Sequence, residues 1–442
     1  MKIINSKQLL VWLVLLLIVL LSANKDILAQ KQTVKKNKSN KILSINKKKT
    51  KPKKSAVNFD AFNSNSTTDN LRPIDGAFIQ LWSSQGDKRM WHEVLEAMKT
   101  AKMRTIVIQY LQHRAVKLDN DKPVFDSATG KPVLIVDELG FSEAYEWNGV
   151  NYVDPTEYIL QFAENNNMQV YVGLIFDKRF VVEKQWDDPR ILDLEQQTQD
   201  GIRFVQKVWD RYGNNPATNK PYKSFAGWYI PSEMWNQPYS EEQITGFRTY
   251  FSEISKKCKT LAPDKSIAVS PFLNPATNYL NAKDFAAKYS KFLKSGDDKA
   301  GIDIVMLQDS VGAKRSEFRP DSNIESILTP FYTNLRTELK KIGVTLWANV
   351  ESYESEGEGA TEFARLEKQI QVADKVLLDK KLEQIVAFDF FHYMNPFGHL
   401  HSEIKTERPK DGPEYVAHER QLYCDYLSAI KISPPKCVIC SK

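Results

Sequence analysis

The sequence predicts an α/β fold built as a single barrel, in which eight parallel strands alternate with helices. Eight short runs rich in β-branched and aromatic residues recur from Gly76 to Tyr393, separated by longer amphipathic segments, which is the pattern of βα units. The runs are apolar almost throughout, as expected of strands covered on both faces. The units average about 44 residues, and one (β/α)8 TIM barrel with insertions fits that length.

The elements can be placed along the chain from local signals. Asp154-Pro155-Thr156-Glu157 offers an N-cap, a proline at the first helical position and a glutamate that can reach back, and Ser240–Gln243 reads as a capping box. Helical spacing of apolar residues predicts further helices at about 281–295, 322–342, 361–379 and 413–430. We predict strands at Gly76–Trp82, Thr105–Leu111, Gln169–Asp177, Phe225–Glu233, Ser266–Asn274, Gly301–Asp309, Val344–Glu351 and Ile385–Tyr393.

The connection after the second predicted strand is unusually long, from Gln112 to about Val153. It contains two hairpin-like turns, Asp126–Gly130 and Trp147-Asn148-Gly149. Because the loops that follow barrel strands lie on the catalytic face, this insertion is expected to wall one side of a cleft. A surface loop without a role is the alternative.

A short apolar segment near the start predicts export. Lys2 and Lys7 precede fifteen uncharged residues, Leu9–Ala23, and Ala29 ends a small-residue cleavage motif. That layout is typical of a secretory signal peptide, and a bilayer span needs about 20 apolar residues. We therefore expect residues 1–29 to be a signal peptide, or alternatively an uncleaved anchor. The protein would then be periplasmic, extracellular or membrane-tethered outside the cytoplasm.

The next segment is strongly basic. Residues 31–54 contain eleven lysines and no acidic residue, which predicts a disordered linker over residues 30–70. The first 54 residues carry a net charge of +13 and the whole chain +6, so the remainder is acidic, at −7. We expect a tether that makes weak contact with the membrane or envelope. An acidic folded part argues against nucleic-acid binding.

The barrel is assigned to residues 71–432 and is expected to be a monomer. A tail, 433–442, carries two of the four cysteines, Cys258, Cys424, Cys437 and Cys440. An exported chain permits disulfides, and a bridge from Cys424 to the tail is favoured over a zinc site. Cys437-x-x-Cys440 has neither a second CxxC nor a matching histidine pair beside it.

Two glutamates carry the functional prediction. Glu233 and Glu351 each close a predicted strand, the fourth and the seventh, and acids at these ends project into the mouth of a barrel. A pair of carboxyl groups there can serve as proton donor and nucleophile on a glycosidic bond. The apolar residues before Glu233 favour a raised carboxyl pKa, whereas the polar neighbours of Glu351 favour an ionised carboxylate.

This arrangement resembles that of the clan-A glycoside hydrolases, which are retaining (β/α)8 enzymes. The resemblance implies that Glu233 is the acid/base and Glu351 the nucleophile. The chain departs from the clan in one place, since Ser232 stands where an asparagine usually precedes the acid/base. That departure puts the usual hydrogen bond to the sugar 2-hydroxyl in doubt.

A closer resemblance covers about residues 71–430. The segments GAFIQLW, GWYIPSEMW, MLQDSVG and LWANVESY are similar to a bacterial family of barrel hydrolases known as domain of unknown function 4434 (DUF4434). The resemblance implies a glycosidase without naming its substrate.

Other side chains at the predicted strand ends could bind a carbohydrate. Amides, acids and hydroxyls can bond sugar hydroxyls, and tryptophan faces can stack on sugar rings, although a single aromatic side chain at a strand end is more often packing. The candidates are Gln80, Trp82, Gln109, Tyr110, Asp177, Trp235, Asn274, Gln308, Asp309, Trp347, Tyr353, Asp389, His392 and Tyr393.

Competing chemistries have less support. His399-x-His401 has metal-ligand spacing but follows the last strand, and we predict neither a metal nor a cofactor. No phosphate-binding loop and no GxSxG elbow is present in the sequence. The sequence therefore predicts an exported glycosidase that cleaves an oligo- or polysaccharide with retention. The alternative is an inactive glycan-binding scaffold of the cell envelope.

Overall fold

The computed structural model describes residues 71–81, 87–119, 122–139, 141, 145–147, 150–180, 193–295, 298–299, 301–313, 316–354, 359–397 and 413–434. Within these ranges eight parallel strands form a closed barrel. They are β1 Gly76–Ile79, β2 Thr105–Ile108, β3 Gln169–Gly173, β4 Phe225–Ile230, β5 Ser266–Val269, β6 Ile304–Gln308, β7 Thr345–Glu351 and β8 Ile385–Phe388. The predicted (β/α)8 architecture is confirmed for this part of the chain.

The barrel closes between its first and last strands. Gly76 pairs with Val386 of β8 on one side and with Thr105 of β2 on the other. A side chain at Gly76 would meet the Thr105 backbone oxygen at 2.2 Å, so the closing strands require glycine there.

One apolar side chain or more from each strand fills the barrel interior. Side chains alternate along a strand, so the residue two positions after each of these also faces the barrel interior, nearer the mouth. The interior set is Phe78, Val107, Tyr171, Tyr229, Ala268, Ile304, Met306, Trp347 and Val386.

Within the described ranges, eight long helices surround the strands. They are α1 Lys88–Thr100, α2 Pro155–Asn165, α3 Leu194–Tyr212, α4 Glu241–Leu261, α5 Ala282–Leu293, α6 Asn323–Lys341, α7 Phe363–Val376 and α8 Pro413–Ala429. The Ser240 capping box is present in full, and Asp154 caps α2 as predicted. Glu157 does not reach back to Asp154, because its side chain accepts from Gln161 instead.

Most strands are shorter than predicted, because the chain leaves the sheet once its polar residues begin. The predicted eighth strand ends at Phe388, and a short helix, Phe390–Tyr393, follows with Asp389 as its N-cap.

The insertion after β2 forms a small sheet of its own. Its central strand is Gln112–Val116, which pairs with Leu134–Glu138 on one side. On the other side it pairs with Ile175–Asp177, a short strand that follows β3 in the chain. Asp126 accepts from the backbone of Thr129, and Gly130 has a φ of 66°, so the first hairpin turn is confirmed. Glu138 pairs with Lys207 of α3 at 2.7 Å, so the insertion lies over that helix at the end of the barrel where the strands finish.

Several sequence predictions lie outside the described residues, among them the leader, the basic linker, His399, His401 and the tail cysteines. Cys258 is buried and free, and Cys424 is disulfide-bonded. In the described part of the chain no helix combines the length and the apolar character that a bilayer span requires.

Candidate active site

Glu233 lies just beyond β4 at the mouth of the barrel. The strand ends at Ile230, three residues earlier than predicted, because Pro231 has no N–H to give to the ladder. Glu233 is half-buried, and its Oε1 accepts a hydrogen bond of 3.0 Å from Nε2 of Gln308, the last residue of β6. The acid is therefore held in one orientation while part of its surface reaches solvent.

The residue before Glu233 faces the opposite way. Ser232 is buried, and its hydroxyl lies 2.9 Å from the Tyr250 hydroxyl of α4. Its side chain therefore points into the helix layer. It cannot replace the asparagine of the clan-A pattern in reaching a sugar in the mouth.

Glu351 is the last residue of β7 and is almost fully enclosed. Only 2% of it is exposed, and its Oε2 accepts from the backbone N–H of Ala313 at 3.2 Å, with a further bond from the Gly312 N–H. Burial, with the charge of Asp309 as second cause, raises the pKa of Glu351 to about 8. The expectation of an ionised carboxylate was wrong, since the loop after β6 removes the carboxyl from solvent.

Asp309 follows Gln308 at the end of β6 and is completely buried. Its Oδ1 accepts from the backbone N–H groups of Val311 at 3.1 Å and Glu351 at 3.3 Å. Burial raises the pKa of Asp309 to about 6, and hydrogen bonds and a nearby guanidinium oppose that rise. A substrate cannot contact Asp309 in this conformation, so its assignment as a sugar ligand is corrected.

Two side chains of α7 complete this buried cluster. Gln369 donates through Nε2 to Asp309 Oδ2 at 2.6 Å and to the Glu351 carbonyl at 3.2 Å. Arg365 donates to the carbonyls of Glu351 and Tyr353 and forms an ion pair with Glu354. A spacing of four residues puts Arg365 and Gln369 on one helix face, directly behind the end of β7.

The end of β6 connects the two glutamates. Gln308 contacts the Glu233 carboxylate, and its chain neighbour Asp309 accepts from the backbone N–H of Glu351. Glu233 and Glu351 therefore lie at the same end of the barrel, on either side of β6.

Polar side chains from three strands form the floor between the acids. Asn349 Nδ2 donates to Ser270 Oγ at 3.1 Å, Ser270 Oγ donates to the Met306 carbonyl at 2.7 Å, and Gln308 Nε2 also donates to the Ser270 carbonyl. Ser270 and Asn349 each lie two residues after an inward-facing apolar residue. Neither residue was predicted from the sequence, although strand alternation would have identified both.

Several predicted ligands gather at the mouth near β8. The rings of Tyr353 and Tyr393 are 5.3 Å apart, and Asp389 Oδ2 lies 2.7 Å from His392 Nδ1. Asp389 is completely buried and caps the short helix, so it cannot contact a sugar in this conformation and its assignment as a ligand is corrected. Burial raises the pKa of Tyr110, and the charges of Asp389 and Glu233 add to that shift, so Tyr110 belongs to the same neighbourhood. Gln80, Trp235, His392 and Tyr393 are half-buried, whereas Gln109 is buried and its Oε1 has no hydrogen-bond partner among the described residues.

Three other predicted ligands have structural roles instead. Asp177 is buried and bonded to Arg179 through both carboxylate oxygens. Asn274 is bonded through its backbone to Asn236, which joins two loops. Trp347 fills the barrel interior and donates to the Leu382 carbonyl, which precedes β8 at the opposite end of the barrel.

Trp82 lies outside the described residues. Among the residues that the structure does describe, no three histidine, cysteine, aspartate or glutamate side chains converge in a way that could hold a metal ion.

The chain is similar to known proteins in sequence and in fold. A family described as "Domain of unknown function (DUF4434)" matches residues 74–399. The chain belongs to this family. A search of curated proteins gives no match.

The chain also aligns with solved structures. A putative alpha-L-fucosidase from Bacteroides thetaiotaomicron VPI-5482 aligns with 86% of this DUF4434 chain and 100% of its own, at 19% identity and a TM-score of 0.58. An endo-1,4-beta-D-mannanase from Thermotoga petrophila RKU-1 aligns with 72% of this chain and 88% of its own, at 12% identity and a TM-score of 0.46. The first likeness establishes a common fold.

Proposed function

We propose that this DUF4434 protein is a glycoside hydrolase that cleaves an oligo- or polysaccharide with net retention. The observation that carries the proposal is that two neighbouring residues at the end of β6 each contact one of the glutamates. Gln308 holds the Glu233 carboxylate and Asp309 holds the Glu351 backbone, so two glutamates flank one mouth. A pair of carboxyl groups around a sugar bond is the minimum that this reaction requires. The fold shared with a structure named as a putative alpha-L-fucosidase supports the same class.

Glu233 suits the role of acid and base. It is half-buried and is held by a neutral amide donor, so its carboxyl is fixed where a leaving oxygen could approach. In the first step Glu233 would protonate that oxygen. In the second step it would take a proton from water.

Glu351 suits the role of nucleophile once it is uncovered and ionised. In the present conformation the Gly312 and Ala313 N–H groups cover its carboxyl, and its pKa is raised to about 8. Substrate binding would therefore have to withdraw the loop after β6 from Glu351. Ionised Glu351 would then attack the anomeric carbon and form the glycosyl-enzyme intermediate.

A glycan panel tests the proposal. We expect the wild type to release sugar from at least one glycan, with the anomeric configuration kept in the first product seen by NMR. Glu233→Gln or Glu351→Gln should each lower turnover by about 10²–10⁴-fold or more. Glu362→Gln is the matched control, because that glutamate is exposed on the loop after β7. Activity within tenfold of wild type in either site variant would refute the two-glutamate mechanism.

The second candidate is a glycan-binding scaffold without catalysis. Two observations favour it: the enclosure of Glu351 and the turn of Ser232 towards α4. It predicts that the Gln variants bind glycans as the wild type does, with no turnover on any member of the panel. Turnover that depends on Glu233 and Glu351 would exclude it.

A further inference from the structure

Asp309 and Glu351 form a buried carboxyl pair at the ends of β6 and β7. A nucleophile alone would not need the second carboxyl group. Asp309 accepts from the N–H of Glu351 on one side and from the N–H of Val311 on the other. Val311 begins the turn whose next two N–H groups cover the Glu351 carboxyl. One carboxylate therefore fixes both the strand that carries Glu351 and the loop that encloses it.

The turn that Asp309 anchors also packs tightly against the end of β7. A side chain on Gly312 would meet the Tyr353 carbonyl oxygen at 2.7 Å and Glu351 Oε2 at 2.9 Å, so the backbone of the turn lies directly against the carboxyl. Two carboxyl groups enclosed in this way favour carrying one negative charge and not two, because water cannot screen the second charge.

We propose that Asp309 is a positioning residue that orients Glu351 and the turn over it, and that its charge is coupled to the protonation of the Glu351 carboxyl. The relevance to catalysis rests on the proposed function, whereas the proton coupling itself does not. Asp309 acts through Glu351 and contacts no substrate.

The other groups around the pair are consistent with one shared negative charge. Burial raises the pKa of the Tyr332 phenol of α6, and the charges of Asp309 and Glu351 raise it further, so it stays neutral. Arg365 brings one positive charge from α7 and is itself bonded to Glu354, which also pairs with Arg319. In the described residues, Tyr332 and Arg365 act directly on the pair, whereas Glu354 and Arg319 act on Arg365.

The coupling can be measured directly by NMR on the full chain labelled with ¹³C at the glutamate side-chain carboxyl. Glu351→Gln identifies the Glu351 resonance. We expect that resonance to titrate well above the ordinary glutamate range in the wild type. Asp309→Asn should move its midpoint down by at least one pH unit, a tenfold change in acid dissociation. Asp303→Asn is the matched control, because Asp303 just precedes β6 and pairs with Lys259 at the other end of the strand.

A reciprocal measurement guards against a misfolded Asp309 variant. Glutamine replaces a protonated glutamate in nearly the same shape, so Glu351→Gln should fold. Because Glu351 is still protonated and neutral while Asp309 ionises, Glu351→Gln should leave the Asp309 midpoint, read from ¹³C-labelled aspartate, within a few tenths of a pH unit of wild type. A Glu351 midpoint that Asp309→Asn leaves unchanged, or an Asp309 midpoint that Glu351→Gln lowers by a full pH unit, would overturn the proposal.

Once an active glycan is known, the pH dependence of kcat/KM provides a further readout. Asp309→Asn should move the limb that reports ionisation of Glu351 towards lower pH, whereas a purely structural residue would lower the rate without moving the limb. A panel without any turnover would refute the proposed function and leave the NMR result standing.

Discussion

At the residue scale, the raised pKa of Glu351 makes stability depend on pH. The folded-state pKa is about 8, against 4.5 for an ordinary glutamate, so the folded state binds more protons than the unfolded state between those values. The free energy of unfolding therefore falls as pH rises through that window. Enclosure in the turn after β6 costs stability in alkaline solution.

Replacing Glu351 by glutamine should remove this penalty. We expect Glu351→Gln to unfold at a temperature similar to wild type near pH 5 and at a higher temperature than wild type at pH 9. Thermal unfolding followed by circular dichroism across that range measures the difference, with Glu362→Gln as the exposed control. A difference that does not grow with pH would show that Glu351 titrates in its ordinary range.

The sequence predicted which glutamates matter but not their electrostatics. Glu233 and Glu351 were found because strand alternation and barrel order are local patterns. The burial of Glu351 depends on Gly312, which is 39 positions earlier in the chain, and on Arg365 and Gln369 of α7. Contacts of that kind arise only when the strands and helices assemble, so neighbours in sequence gave the wrong expectation for the Glu351 charge.

At the element scale, residues 311–313 after β6 form the turn that covers the Glu351 carboxyl. This turn is tied down by Asp309, and Gly312 lies against β7 with no space for a side chain. Secondary-structure signals in the sequence locate the ends of β6 and α6 but do not predict the path of the chain between them. Residues 311–313 on that path cover Glu351.

Gly312→Ala should disrupt this packing. The new methyl group would have to displace the Tyr353 backbone or the Glu351 carboxyl, and overpacking of this kind costs about 1–3 kcal/mol. We expect a lower denaturant midpoint with an unchanged m-value, measured by urea unfolding. Gly130→Ala, in an open turn of the insertion, is the contrasting control, because its cost comes from a φ of 66° and not from a clash. A Glu351 resonance that the Gly312 change leaves unmoved would contradict close contact between the turn and the carboxyl.

At the whole-molecule scale, barrel geometry and the charge pattern follow different rules. The order and direction of the eight strands follow from the repeat of βα units, which is why they could be predicted. The exact strand ends could not be predicted. A strand ends where its last backbone hydrogen bond to a neighbouring strand is made, as β4 does at Ile230, and the closed sheet determines that point. The charge pattern requires no folding at all, since the basic segment and the acidic remainder are separate stretches of sequence.

We propose on that basis that residues 31–54 hold the protein near an anionic surface outside the cytoplasm. Eleven lysines at about 1 kcal/mol each near such a surface can give measurable binding, while the acidic remainder is repelled. The full chain without its first 29 residues should co-sediment with vesicles rich in anionic lipid at low salt. It should be released as the ionic strength approaches 0.5 M, where the Debye length is about 4 Å. Deleting residues 31–54 should abolish the binding, and neutral vesicles are the control. Binding that persists at high salt or after the deletion would place the membrane contact on the barrel instead.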